Sequence, residues 1–128
     1  MSTYGFSKET SYTFERAVER TTEELAKQGF GVLTTIDVRE TLKKKLDVDF
    51  KNYVILGACN PPFAHRALTL EEEIGMLLPC NVIVYERAGK TVVGAFDPMV
   101  ITKVSGNPEL ASIATEVEAR LRTVLESI

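Results

Sequence analysis

One stretch gathers most of the side chains in this chain that can do chemistry. Between Gly57 and Cys80 lie both cysteines, the only histidine and three of the five prolines. Cys59, His65 and Cys80 offer two thiols and an imidazole, and three chemistries compete for them. Thiolate and imidazole are standard ligands of metals and haem. A thiol activated by a helix end and a nearby imidazole is a nucleophile, with the imidazole as its base. Free cysteines are also common fillers of a protein core. The spacing matches no zinc motif and a fourth ligand is missing, so metal, cofactor and catalytic roles stay unassigned.

Asn60-Pro61 marks the passage from strand to helix. Proline disfavours the helical conformation at Asn60, as an N-cap position requires, and Pro61 presets φ for the first turn. On the helix that follows, Phe63, Ala64, Ala67 and Leu68 share an apolar sector. His65 and Thr69 lie opposite it, so His65 faces solvent, a cleft or a partner. A helix N-terminus ordinarily presents free N–H groups to an anion. Pro61 and Pro62 delete two of them, and there is no glycine-rich loop nearby, so phosphate binding is not expected here. Glu71, Glu72 and Glu73 invite a general acid/base role. Thr69 with Glu72 forms a capping box instead, and the glutamates read as surface. Lys43, Lys44 and Lys45 beside Arg39 read as a solvated helix face rather than an anion patch.

The elements around this stretch decide whether its residues can meet. Tyr53–Cys59 is apolar at nearly every position, the mark of a strand covered on both faces. Cys80–Glu86 and Thr91–Phe96 are predicted strands joined through Arg87, Ala88, Gly89 and Lys90. If the strands ending at Cys59 and starting at Cys80 are antiparallel neighbours, both sulfurs fall at one end of the sheet, close to His65. Upstream, Tyr4–Ser7 is a short predicted strand. Thr13 caps an amphipathic helix with Phe14, Ala17, Val18, Thr21 and Leu25 on one stripe, closed by Gly29. Gly31–Asp37 is a β-branched strand, and Asp37 with Glu40 opens a helix to Leu46 whose buried side would be Val38, Leu42 and Leu46. Met99–Val104 is apolar and short, either an edge strand or a helical turn. Asn107 and Pro108 start a final helix with Leu110, Ile113, Ala114, Val117, Leu121, Val124, Leu125 and Ile128 on one stripe. The economical packing is α+β: a two-layer sandwich of a mainly antiparallel five-stranded sheet, two long helices and short helical insertions.

The totals narrow the class. A chain of 128 residues is one domain by length, here spanning residues 1–128, and builds a core without staples. A net charge of −3 argues against a nucleic-acid binder, whose surface is concentrated basic charge. Two cysteines cannot make a disulfide scaffold, and no apolar run reaches membrane-span length. No secretory signal is visible, so a cytoplasmic domain without a membrane partner is expected.

Gly-Ala-Cys-Asn-Pro-Pro-Phe-Ala-His-Arg-Ala-Leu at 57–68 and Glu-Ile-Gly-Met-Leu-Leu-Pro-Cys-Asn-Val-Ile-Val-Tyr at 73–85 resemble the domain of unknown function 302 family (DUF302). Gly-Phe-Gly-Val-Leu-Thr-Thr-Ile-Asp-Val at 29–38 and Thr-Leu-Lys-Lys-Lys-Leu at 41–46 fit the same pattern. The resemblance implies a compact α+β fold of TATA-binding-protein-like topology and a homodimer, and it implies no activity. A dimer also follows from Val54, Leu56 and Ala58 alternating with Tyr53, Ile55 and Cys59. Neither face of that strand suits water, and the short helical segments would cover the second face only in part. The reading is a homodimeric ligand-binding or accessory domain with Cys59, Asn60, His65 and Cys80 as candidate binding residues. A small molecule, a metal or haem are the candidate ligands. The alternatives are a thiol enzyme using Cys59 with His65 as base, and a purely structural dimer.

Overall fold

A computed structural model describes residues 3–128. In chain order it contains β1 (Gly5–Thr10), α1 (Phe14–Lys27), β2 (Gly31–Asp37), α2 (Val38–Leu46) and β3 (Tyr53–Cys59). Then come α3 (Pro61–Leu70), β4 (Cys80–Arg87), β5 (Lys90–Phe96), α4 (Met99–Ser105) and α5 (Ala111–Glu126). Two 3-10 segments, Glu72–Leu77 and Pro108–Leu110, precede β4 and α5. The strands form a single antiparallel sheet in the order β1-β5-β4-β3-β2, so the two-layer α+β architecture is as expected.

The core follows from the pleat. Val54, Leu56 and Ala58 of β3 pair with Val84, Val82 and Cys80 of β4, and all six are buried on one face. Val93 and Ala95 of β5 extend that face. Ala17 and Leu25 from α1 and Ile113, Val117, Leu121, Val124 and Leu125 from α5 close over it. Each such side chain contributes about 1.5–3 kcal/mol on burial, far more than any ion pair on the surface. α1 starts as its sequence directs, and the 3-10 turn before α5 takes the cap expected for the last helix. Thr13 accepts a hydrogen bond from the Arg16 N–H, and Asn107 accepts one from the Glu109 N–H. Gly29 ends α1 with φ +85°, the left-handed conformation that favours glycine.

Several elements differ from expectation. β1 runs on through Lys8, Glu9 and Thr10, because β5 supplies a partner as far as Thr91. β4 and β5 each run one residue further into the turn, to Arg87 and from Lys90, leaving a two-residue turn, Ala88-Gly89, with both φ angles positive. Of the two readings open for Met99–Val104 the helical one holds, as a helix over Met99–Ser105. Asn107 and Pro108 begin a 3-10 turn that leads into α5. The largest departure is α2, which buries none of its residues. Val38 and Leu42 are half-buried and Leu46 is 66% exposed, because β2 beneath is an edge strand with little core to offer. Its lysines make only surface pairs, Lys43 with Asp47 and Lys44 with Glu40, both at 2.9 Å.

The opposite face of the sheet carries Ile36, Ile55 and Ile83 in register across β2, β3 and β4. Tyr53 and Tyr85 stack beside them with ring centroids 5.2 Å apart. α3 packs against α5 and so lies in the same layer as the long helices. It therefore leaves this second face uncovered.

Candidate functional site

The strand β3 enters the site with Ala58 and Cys59, and Asn60 turns the chain into α3. Asn60 is extended, as the following proline requires, but its side chain caps nothing. Instead Asn60 Nδ2 donates to the carbonyl oxygen of Gln28 at 3.3 Å, tying the new helix to the end of α1. α3 then turns Phe63 and Ala67 inward, four residues apart on one face.

Between α3, α5, the 3-10 segment Glu72–Leu77 and the inner face of the sheet lies a cavity of about 360 Å³. Phe30, Phe63, Ile74, Ile101, Ile113 and Val117 make its apolar walls. Thr34, Cys59, Asn60 and Cys80 are its few polar or sulfur-bearing lining residues. Its exposed lining residues include Leu33, 68% exposed, Thr34, Leu68 and Gly75. Leu33 sits at a β-bulge, where β2 slips by one residue between its pairings of Val32 and Thr34 with β3. A bulge of this kind re-aims a side chain, and here it adds Leu33 to the lining.

The structure brings Cys59, Asn60 and Cys80 to this one cavity. It does not bring His65. Two residues on from Phe63, His65 projects from the far side of α3 and is exposed. It borders a separate shallow groove with Arg66, Thr69, Glu109 and Ser112. The expected gathering of two sulfurs and an imidazole is thus reduced to the sulfurs, and the periodicity of α3 is the reason. Both cysteines are free thiols. Cys80 is buried, and burial, aided by the neighbouring Cys59, pushes its thiol up to about 11. At neutral pH it is a protonated, weakly reactive group. Cys59 is only half-buried, and so is the more accessible thiol. Among the described residues no cluster of three or more His, Cys, Asp and Glu side chains is placed to hold a metal.

Glu72 and Glu73 are exposed on the 3-10 segment, and neither lines the cavity. Glu71 accepts a hydrogen bond from Asn107 Nδ2 at 3.1 Å, a link between the end of α3 and the start of α5. Leu33 and Thr34 of β2, Ile74 of the 3-10 segment and Ile113 of α5, none of them a candidate site residue from sequence, join the lining from three different segments. Cys59, Asn60 and Cys80 are candidates from sequence, and Phe63, Ala64, Ala67 and Leu68 announce themselves through the apolar sector of α3.

No helix among the described residues is long and apolar enough to cross a membrane. No curated protein matches the chain. A crystal structure of an uncharacterized conserved DUF302 protein from Bacillus stearothermophilus is similar throughout, with 34% identity over 98% of each chain and a TM-score of 0.92. The sequence model of the family described as domain of unknown function DUF302 matches residues 6–128. Over residues 6–128, from the first strand to the last helix, this chain belongs to the DUF302 family.

Proposed function

We propose that this domain binds an apolar small molecule in the cavity beneath α3. The supporting observation is the cavity itself: about 360 Å³, walled by hydrophobic side chains, with its few polar groups contributed by Thr34, Asn60 and the cysteines. Ligand sites have this composition and this size range. The thiol-enzyme alternative is weaker, because His65 lies outside the cavity and leaves Cys59 without its base. The test is titration of the native protein with the uncharged dye N-phenyl-1-naphthylamine. Saturable binding near one dye per chain is expected, strongly reduced in Ala64→Phe, which fills the space. Absence of saturable binding, or binding indifferent to Ala64→Phe, sinks the reading.

A homodimer through the outer sheet face is the companion reading. Antiparallel sheets with one face in water normally alternate apolar-in and polar-out. Here the outward positions of β2, β3 and β4 include Ile36, Ile55, Ile83, Tyr53 and Tyr85. A second copy presents the same patch, which suits a two-fold contact. Sedimentation of the wild type at micromolar concentration is expected to give twice the chain mass, and Ile55→Lys half of that. A wild-type monomer rules the dimer out.

A further inference from the structure

The cavity's polar end has a chemical preference that its volume does not disclose. Asn60 is only 7% exposed and lines the cavity. Its amide orientation is determined by its neighbour: the Gln28 carbonyl oxygen can only accept, so the group facing it at 3.3 Å must be Nδ2. Oδ1 is then the opposite end of the amide. Among the described residues no donor meets it, neither the helix N–H groups it would normally cap nor either thiol. Oδ1 is not among the fully enclosed unpaired oxygens, so it keeps accessible surface, and a ligand that brings a donor can reach it and make the bond the protein leaves open.

Charge is the second discriminator. Among the described residues no Lys, Arg or His lines the cavity. Two guanidiniums, Arg66 and Arg120, stack on the Phe63 ring at 5.7 and 5.2 Å from its centroid, but neither is a lining residue. Pro61 and Pro62 remove two of the N–H groups with which the start of α3 would otherwise hold an anion. A carboxylate in this cavity would lose its water and find no cation or helix end in return.

We infer that the cavity selects an uncharged apolar molecule carrying one hydrogen-bond donor, a hydroxyl or an N–H, which meets Asn60 Oδ1 while the hydrocarbon fills the space under α3. Length follows from volume: at about 30 Å³ per heavy atom there is room for roughly a dozen. This inference rests on the cavity being a ligand site.

The experiment uses three probes with the same ten-carbon tail on the full chain, by calorimetry at pH 8: 1-decanol, its methyl ether and decanoate. 1-Decanol is expected to bind about tenfold more tightly than the ether, which lacks only the donor, and more tightly still than decanoate. In Asn60→Leu the alcohol and ether become equal. If alcohol and ether bind equally to the unaltered chain, or decanoate binds best, the selectivity is wrong while the cavity remains a ligand site. If none binds saturably, the ligand-site reading falls with it. Asn60→Leu also removes the bond to Gln28, so if that variant fails to fold, the comparison in the unaltered chain decides.

Discussion

Asn60 and Arg120 donate to the same acceptor, the carbonyl oxygen of Gln28, at 3.3 and 3.0 Å. Three segments meet there: the end of α1, the turn into α3 and the middle of α5. The same Arg120 also covers the ring of Phe63, a wall of the cavity. Arg120→Met keeps much of the side-chain volume but removes both interactions. It is expected to cost about 1–2 kcal/mol in urea unfolding, with Arg120→Lys recovering only part, because the planar guanidinium is what stacks. A change below a few tenths of a kcal/mol would show that the convergence is incidental.

Gly57 tests how tightly β2 is seated. A methyl group there would strike Thr34 Oγ1 and come within 3.0 Å of Pro79 Cγ. Gly57→Ala is therefore predicted to destabilise by about 1–3 kcal/mol. Pairing it with Thr34→Ala removes the closer obstacle and should return part of the loss; a strictly additive double mutant would contradict the geometry.

Gly29 is constrained twice over. Its φ of +85° disfavours any side chain, and a Cβ would sit 3.0 Å from Asn60 Nδ2. Gly29→Ala should lower stability by about 1–2 kcal/mol and disturb the Asn60 amide resonances. An unperturbed variant would mean that α1 can end in another way.

Two carboxyl groups have opposite pH signatures. Glu24 is buried on α1 between Lys27 at 2.8 Å and Arg20 at 2.9 Å, and these cations hold its carboxyl below its ordinary value despite burial. Its stabilising contribution is present above the ordinary carboxylate range and is lost as pH falls through the lowered value. Glu118 is raised, first by burial and then by its hydrogen bond to Asp97, with Arg122 opposing. Its contribution is present below the ordinary value and lost as pH rises through the raised one. Glu118→Gln should therefore match wild type in acid and exceed it at pH 8 in urea unfolding. Equal stability at both values would dissolve the pairing.

Thr21 carries a fully buried hydroxyl with no hydrogen-bond partner among the described residues. Thr21→Val has nearly the same shape and removes the unsatisfied group. A gain of about 1 kcal/mol is expected from chemical denaturation; a loss would reveal a partner for that oxygen.

Much of the architecture is a local matter. The amphipathic stripes of α1 and α5, the caps at Thr13 and Asn107, and the doubly apolar run of β3 depend on residues a few positions apart, and their sequences specify them without help. The cavity is different. Its wall joins Leu33, Asn60, Phe63, Ile74, Cys80 and Val117, residues far apart in the chain, and only the packing of α3 against α5 brings them together. The local rules placed His65 opposite the apolar sector of α3 correctly, yet the proximity to the thiols inferred from sheet topology did not follow. A helix end near two cysteines says nothing about which way its second turn faces relative to them. That is decided by the face of α3 that buries Phe63 and Ala67, and by the surface of α5 waiting to receive it.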